Sequence, residues 1–452
     1  MNTPICDFIN AYIQNGKKRF HMPGHKGVGD IEALDLTEIN GLDSLYSDSG
    51  VIYESEKNAS MLFGSYKTAY STEGSSQCIK AMLHLAKMYK NPSTRGYILA
   101  TRNAHSALIF ASFILDFDIK WLYSDNSLSY ISCPVQLDKL DELLCSAKEK
   151  PFAVYITSPD YLGSTDNISE IAKICNKHNT ILIVDNAHGA YLKFDEPSAH
   201  PLDLGAHMCC DSAHKTLPAL TGGAYLHISK SLDPSLRDFL CENVKATMAI
   251  YGSTSPSFLI LRSLDMLNAK IASGELIAKQ KEVENRLDKL KKSLSVCGFE
   301  LFGNERLKLT IKTCSYGYTG IELSSILESK GFFAEFFDRD FVTLMLSCNT
   351  KIEDIDALEG ILCSIQKREP IWAPAPPICK PVAVMSVRDA LSAKRELVHI
   401  DNALNRVLAS FSLSCPPAVS IVVCGERLDK NAIEALKYYG TKQVYVVRHN
   451  SI

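Results

Sequence analysis

The chain has 452 residues, of which 46% are hydrophobic and 22% charged, and its formal net charge is −3. This length predicts two or three domains with large cores, and the small net charge argues against a polybasic nucleic-acid surface. The longest apolar runs have the length of strands rather than of membrane spans, and the N-terminus lacks the basic-then-apolar order of a signal peptide, so we expect a cytosolic protein.

The first fifty residues are rich in Gly, Asp and Ser, and we expect them to be irregular. From about residue 60 to 226, short apolar segments alternate with helical ones. The predicted strands are YILA (97–100), KWLY (120–123), AVYIT (153–157), ILIVD (181–185), HMCCD (207–211) and AYLHI (224–228), and the predicted helices span residues 77–89, 137–148 and 168–178. This alternation is typical of an α/β domain with a mainly parallel, doubly wound sheet.

A long helical stretch is predicted over residues 257–295, and its charged, amphipathic second half should lie on the surface and link two domains. A smaller α+β unit follows, and the proline-rich stretch 369–381 predicts an extended connector. We therefore divide the chain into an N-terminal arm (1–55), a large domain (56–298), a small α+β domain (299–368) and a C-terminal subdomain (369–452).

The 15 cysteines are scattered along the chain without a Cys-x-x-Cys pair. An odd number with no regular spacing indicates free thiols used as small core residues in a reducing compartment, rather than disulfides or a metal cluster.

Two polar positions follow neighbouring predicted strands. Asp185 ends the strand ILIVD, at the strand edge where doubly wound sheets bind ligands, although an aspartate there can also be a simple cap. Lys215 lies among the small and apolar residues of SAHKTLPALTGG, where burial can produce a nucleophilic amine. The order strand, aspartate, strand, Ser-x-His-Lys is similar to that of large pyridoxal 5′-phosphate (PLP) enzymes with the aminotransferase-like fold.

A phosphate site is predicted at STEGSSQ (71–77), directly before a helix. Ser75 and Ser76 would present N–H groups and hydroxyls at the helix N-terminus, where the dipole favours a dianion, although serine is also an ordinary N-cap. His105 follows the strand YILA and offers a flat ring that could stack on a pyridine. A structural histidine is the alternative at that position.

These segments resemble the Orn/Lys/Arg decarboxylase family, which has the aminotransferase-like fold (fold type I). RFHMPGHKG (19–27) is similar to the family's N-terminal signature, and VDNAHGA (184–190), SAHKTLPALT (212–221) and STSPSF (253–258) match it in order and spacing. Weaker matches, such as MSVRDAL (385–391) and ELVHIDNALNRV (396–407), extend the resemblance over essentially the whole chain. The chain is similar to the short members of the family, without their receiver-like N-terminal domain.

The resemblance implies PLP as the cofactor and a homodimer, or a higher homo-oligomer, with shared active sites. Lys215 would form the Schiff base, Asp185 would pair with the pyridinium, His105 would stack on the ring, and His188 would lie beside it. The implied contacts to the phosphate are Ser75, Ser76, Ser212 and His214 in one subunit, with Ser253 and Thr254 reaching the phosphate of its neighbour.

The resemblance also implies decarboxylation of a basic L-amino acid to CO2 and an amine that serves as a polyamine precursor, with arginine favoured over lysine or ornithine. His21 and His25 would help to form the substrate site across the dimer. Pro23 and Gly24 separate these histidines, so we expect no metal site there. A cationic substrate requires carboxylates, and Glu426 in VVCGERL is a candidate, alongside Asp43, Glu335 and Asp338.

Several positions depart from the family pattern, and four of them bear most on the reaction. Asn186 stands where an acidic residue is usual, Tyr191 replaces a histidine, Asn405 replaces a glycine, and Ser410 replaces a glutamate. These departures leave open a different PLP reaction, such as that of an aminotransferase or a lyase, on another amino acid. An inactive regulatory paralogue is a further alternative, against which the retention of both Lys215 and Asp185 argues.

Overall fold

A computed structural model describes residues 1–91, 95–125, 127–372, 375–410 and 418–448. Parts of the predicted connector (369–381) and of the C-terminal subdomain (369–452) therefore lie outside the described residues. None of the predicted site residues does.

The α-helices are α1 (Pro4–Gln14), α2 (Asp30–Leu34), α3 (Gly50–Phe63), α4 (Ser75–Lys90), α5 (Ser106–Leu115), α6 (Leu137–Ser146), α7 (Ile168–Lys177), α8 (Ala213–Thr216), α9 (Pro234–Ile250), α10 (Phe258–Ala272), α11 (Glu275–Val296), α12 (Gly320–Ser329), α13 (Ile352–Ser364), α14 (Val387–Ser392) and α15 (Lys430–Tyr438). The strands are β1 (Lys67–Ser71), β2 (Tyr97–Thr101), β3 (Asp118–Leu122), β4 (Ala153–Thr157), β5 (Ile181–Asp185), β6 (Met208–Asp211), β7 (Ala224–Ile228), β8 (Glu300–Phe302), β9 (Lys308–Lys312), β10 (Phe336–Phe337), β11 (Phe341–Met345), β12 (Arg395–His399) and β13 (Gln443–Val447).

The large sheet has seven strands in the order β1-β7-β6-β5-β4-β2-β3. Strands β5 and β6 pair in parallel, as do β2 and β3, whereas β7 runs antiparallel to both β6 and β1. The strands β5 and β7 are completely buried, as expected of strands covered on both faces. The predicted fold class, an α/β protein with a mainly parallel sheet, is confirmed.

The chain divides into two compact units. The first comprises Met1–Pro92, Phe152–Val154 and Ile168–Gln280, and the second comprises Ser93–Pro151, Tyr155–Asn167 and Lys281–Ile452. These boundaries differ from the four segments proposed from the sequence, which remain a prediction. In the first unit, helix α4 packs on strands β5 to β7 and on helix α9.

The expectation that the first fifty residues are irregular is confirmed for residues 15–29 and 35–49, but it was wrong for the two segments that form helices α1 and α2. Pro4 stands in the first turn of α1, where its missing N–H leaves no intrahelical hydrogen bond unmade. The buried side chains Ile5 and Ile9 are four residues apart and therefore lie on one face, and α1 packs against α3 and α10. Helix α1 is thus held in place by helices that are distant from it in sequence.

The long helix predicted over residues 257–295 is two helices. Helix α10 ends at Ala272 and α11 begins at Glu275. Gly274 lies between them with φ +77°, a left-handed conformation that glycine adopts without steric cost, and the helical path is interrupted there.

The second unit contains the predicted smaller α+β structure. Strands β10-β11-β9-β8 form an antiparallel sheet, against which α12 packs, and β12 pairs with β13 in a two-stranded sheet. A buried apolar cluster that includes Ile400, Leu408, Leu428 and Leu436 forms the core next to β13. Within the described ranges, the structure contains no helix of the length and apolarity that a membrane span requires.

Candidate active site

Lys215, His188 and Asp185 lie at the carboxyl ends of adjacent parallel strands. Asp185 is the last residue of β5 and pairs in register with Cys210 of β6, and Lys215 lies in the short helix α8 that follows β6. Lys215 Nζ is 2.9 Å from Nε2 of His188, which follows β5. The structure therefore brings an amine, an imidazole and a carboxylate to the edge of the sheet that the sequence predicts as the ligand site.

Asp185 is 2% exposed, and its carboxylate has two neutral neighbours within hydrogen-bond distance. The Ala187 N–H donates to Asp185 Oδ1 at 3.2 Å, and the Cys210 thiol lies 3.6 Å from the same oxygen. Burial, together with the nearby Asp185 charge, holds the pKa of Cys210 well above its ordinary value, so the thiol keeps its proton. A buried carboxylate suits a cationic ligand group, as the resemblance implies.

The predicted phosphate site lies at the N-terminus of the 16-residue helix α4. The helix begins at Ser75, and its N-cap is Gly74, which has φ +69° and no side chain to cap the first turn. Ser212 Oγ donates to Ser75 Oγ at 2.9 Å, and the Gly74 N–H donates to Gly222 O at 2.8 Å. Ser76, the next residue of the first turn, shares this helix end.

The side chain of His214, the residue before Lys215, is fixed by a hydrogen bond to a main-chain oxygen. Its Nδ1 donates to Gly223 O at 3.0 Å, and burial lowers the pKa of His214. These residues fit PLP in their chemistry: an amine for covalent attachment, a buried carboxylate for the ring nitrogen, and hydroxyls at an uncapped helix N-terminus for the phosphate.

Ser253 and Thr254 are exposed in the loop after α9, and the Ser255 N–H donates to Ser253 Oγ at 3.0 Å. Gly252 precedes them at a crowded point, because a Cβ atom there would lie 2.0 Å from the Tyr46 hydroxyl and 2.2 Å from Gln77 Nε2. The loop is therefore pressed against the first turn of α4.

His105 and Glu426 belong to the second unit. His105 is the N-cap of α5, and its Nδ1 accepts from the Ala107 N–H at 3.1 Å. Glu426 is buried and receives hydrogen bonds from Arg102 at 2.9 Å and from the Val423 N–H at 2.7 Å. Burial raises the pKa of Glu426 despite its pairing with Arg102.

His21 and His25 make contacts within the N-terminal segment. His21 Nε2 is 2.8 Å from the Tyr12 hydroxyl, and His25 Nε2 donates to Asp35 Oδ2 at 3.3 Å. Both histidines thus have local partners, and the hydrogen bonds that the structure gives them do not involve Lys215 or Asp185.

A buried polar cluster next to Asp185 was not predicted. Asp211, at the end of β6, accepts on Oδ2 from His200 Nε2 at 3.0 Å and His227 Nε2 at 3.2 Å, and on Oδ1 from Asn186 Nδ2 at 2.7 Å. Thr68 completes the chain by donating to His227 Nδ1 at 2.8 Å. Burial alone would raise the pKa of Asp211, but the two histidines hold it well below its usual range.

Asp211 is therefore a buried anion stabilised by three donors, and ligand-type atoms of His200, Cys209 and Asp211 also lie within 4.8 Å of one another. A sequence signal existed in part. Asp211 ends the predicted strand HMCCD, and His227 interrupts the apolar strand AYLHI. His200 offered no comparable signal.

Two of the departures from the family pattern have a local physical reason. Asn186 donates to the buried Asp211, so an acidic residue at position 186 would set two carboxylates against each other. Asn405 has φ +63°, and asparagine is among the few residues that replace glycine readily in this left-handed region. Tyr191 is fully buried in the 3-10 turn Ala190–Phe194, and Ser410 is buried in the second unit.

Together, the mainly parallel sheet and the residues at its carboxyl edge match what is expected of a PLP-dependent enzyme of fold type I. Comparison with known proteins narrows this class. The family model for the Orn/Lys/Arg decarboxylase major domain matches residues 3–308, and that for the C-terminal domain matches residues 377–445. The uncharacterized protein YaaO of Bacillus subtilis (strain 168) is 30% identical, over 96% of this chain and 94% of that protein.

An arginine decarboxylase of Halalkalibacterium halodurans is 25% identical, over 96% of this chain and 93% of that enzyme. The crystal structure of a Francisella novicida lysine decarboxylase shares the fold with a TM-score of 0.79 at 16% identity, covering 99% of this chain and 81% of that one. The chain therefore belongs to the Orn/Lys/Arg decarboxylase family, and it is an amino acid decarboxylase whose cofactor is PLP.

Proposed function

We propose that this enzyme decarboxylates a basic L-amino acid, with arginine as the first candidate, and that Lys215 attaches the cofactor. The observation that carries the proposal is the 2.9 Å contact between Lys215 Nζ and His188 Nε2, beside the buried Asp185. Arginine is favoured over lysine and ornithine because the arginine decarboxylase is 25% identical to this chain, whereas the lysine decarboxylase is 16% identical.

The cofactor, when bound, supplies an electron sink for the pair that remains at Cα as the bond to the carboxylate breaks. Asp185 would hold a proton on the ring nitrogen, since a buried carboxylate favours the cationic form of a partner. Ser75, Ser76 and Ser212, with His214 nearby, would bind the phosphate at the start of α4. His105 would stack on the ring.

Lys215 and His188 are also placed to handle protons. When it is not bonded to the cofactor, Lys215 Nζ would be able to carry a proton, and His188 Nε2 lies within hydrogen-bond distance of it. We propose that this pair returns a proton to Cα after CO2 leaves. Product would then be released as the amine.

We further propose a homodimer in a cytosolic setting, in which Ser253 and Thr254 reach the phosphate of the neighbouring subunit. The support is that both residues are exposed. His21 and His25 remain candidates for substrate contact across that dimer. We leave Glu426 out of the substrate site, because its carboxylate is buried and already paired with Arg102.

The deciding experiment is a single-turnover screen of the PLP-loaded protein against arginine, lysine, ornithine and a panel of other amino acids, with CO2 and amine followed by mass spectrometry. Amine and CO2 from one basic amino acid, absent in Lys215→Ala, are expected. A spectral change of the cofactor accompanied by a keto acid or pyruvate, without CO2, would overturn the proposed reaction but keep the cofactor assignment.

A further inference from the structure

The contact between Cys297 and Cys363 is independent of the active site. Cys297 directly follows helix α11, and Cys363 lies in the last turn of α13. Their sulfur atoms are 2.7 Å apart although the residues are 66 positions apart in sequence. Both thiols are half-buried, so a small reagent can approach the pair.

Helices α11 and α13 are held against each other by side-chain contacts, and this packing brings the two sulfur atoms together. Arg286 of α11 forms ion pairs with Asp356 and Glu359 of α13. Further along the same faces, Ser293 Oγ lies 3.8 Å from Cys363 Sγ. One helix face carries positions 286, 293 and 297, and the facing one carries positions 356, 359 and 363. The packing of these two faces therefore places the two thiols next to each other.

We propose that Cys297 and Cys363 form a reversible disulfide that fastens α13 to the end of α11. The oxidant is a low-molecular-weight disulfide such as oxidised glutathione. An S–S bond of about 2.05 Å requires only a small side-chain rotation from the present separation. The crosslink closes a long loop within the second unit, which restricts the unfolded chain and stabilises the folded one.

The exchange proceeds in two steps. The Cys363 thiolate attacks one glutathione sulfur, the glutathione S–S bond breaks, and one glutathione thiolate leaves. The Cys297 thiolate then attacks the Cys363 sulfur of this mixed disulfide, and the second glutathione leaves. Two protein thiols lose two electrons and two protons, and one oxidised glutathione becomes two reduced glutathiones.

The order of attack follows from the hydrogen bond between the thiols. Cys297 donates to Cys363, and this bond, followed by burial, raises the pKa of Cys297. Cys297 therefore keeps its proton longer, and Cys363 is the first nucleophile.

The test uses the full-length, PLP-loaded protein, incubated at a series of ratios of oxidised to reduced glutathione and digested without reduction. We expect one peptide pair joined through Cys297 and Cys363, a loss of two titratable thiols, a melting midpoint raised by a few degrees, and complete reversal by dithiothreitol. Cys297→Ser should leave Cys363 as a mixed disulfide with glutathione. Cys145→Ser, at an exposed cysteine, is the matched control and should leave the crosslink unchanged.

The wild-type peptide map decides the matter even if a variant folds poorly. Mixed disulfides on Cys297 and Cys363 without the joined peptides, or free thiols at a ratio that fully modifies Cys145, would overturn the proposal. Crosslinks distributed among other cysteines at similar yield would do the same. Decarboxylase activity is not the readout, so a failed substrate assignment leaves this test intact.

Discussion

The hydrogen bond between Asn186 and Asp211 leads to a quantitative prediction about a second carboxylate next to Asp211. In the substitution Asn186→Asp, a carboxylate oxygen replaces an amide nitrogen that lies 2.7 Å from Asp211 Oδ1. Two charges at that distance repel by about 6 kcal/mol at an effective dielectric constant near 20. If one of the two carboxylates takes up a proton, this repulsion is avoided at a lower cost, because protonating a carboxyl group of ordinary pKa at pH 7 costs about 4 kcal/mol.

We therefore expect Asn186→Asp to lower the free energy of unfolding by about 4 kcal/mol at pH 7. The two neighbouring carboxyl groups have a raised pKa in the folded variant, which therefore binds more protons than its unfolded chain. The loss in free energy of unfolding relative to the parent protein therefore becomes smaller as pH falls. The deficit should decrease by about 1.4 kcal/mol per pH unit and nearly vanish by about pH 4.

Denaturant unfolding of the full-length protein between pH 4 and 8 measures this deficit. Asn176→Asp, the same change at an exposed position of α7, is the matched control and should lie within about 0.5 kcal/mol of the parent at each pH. The exchange variant Asn186→Asp with Asp211→Asn restores one donor and one acceptor. It should recover most of the loss, which a double-mutant cycle quantifies.

An Asn186→Asp variant within about 1 kcal/mol of the parent at pH 7, with no dependence on pH, would refute the reasoning. It would mean that Asp211 does not carry a buried charge next to position 186. A full deficit in the exchange variant would instead place the damage in the contacts of His200 and His227 with Asp211 rather than in the repulsion.

Four further changes test the site and its surroundings. Lys215→Ala should keep its circular dichroism spectrum but release the cofactor on gel filtration, whereas Lys193→Ala, at an ion pair with Asp203, should retain it. Asp185→Ala should lower turnover by about 100-fold or more, because the unprotonated ring is a poor sink, and near-normal activity would contradict that role. Gly252→Ala should weaken cofactor binding, since its Cβ would lie 2.0 Å from the Tyr46 hydroxyl. Burial raises the pKa of Asp160 to about 6, so Asp160→Asn should gain up to about 3 kcal/mol relative to the parent as pH rises from 4 to 6, with no further gain above, measured by denaturant unfolding.

The sequence predicted strands well where a buried apolar run is bounded by polar or turn residues. Strands β4, β5 and β7 have the predicted ends, because such buried apolar runs form strands that are covered on both faces of a sheet. Strand β1 (KTAYS) was missed, since its residues carry little apolar signal. It forms because it pairs along its whole length with β7, which lies far away in sequence.

Some residues of the candidate site could likewise be located from the sequence, and others could not. Asp185 and Lys215 could be located because each follows its own strand signal, and the strand order then brings them to one edge. The Asp211 cluster could not be located, because His200, Asp211 and His227 come from three segments that meet only when β6 pairs with β7. Pairing between distant strands is the information that a local pattern lacks.

Gly252 and Gln77 bear on how mutations of the loop that carries Ser253 and Thr254 are interpreted. The Gln77 amide donates to the Tyr46 hydroxyl at 3.1 Å and to Met248 O at 2.8 Å, and its oxygen accepts from Ser71 at 2.6 Å. One side chain therefore ties the end of α9, directly before this loop, to the first turn of α4. A loop variant that loosens this tie would weaken cofactor binding within its own subunit, so heterodimers that carry the change in one chain are needed to assign its effect to one site or the other.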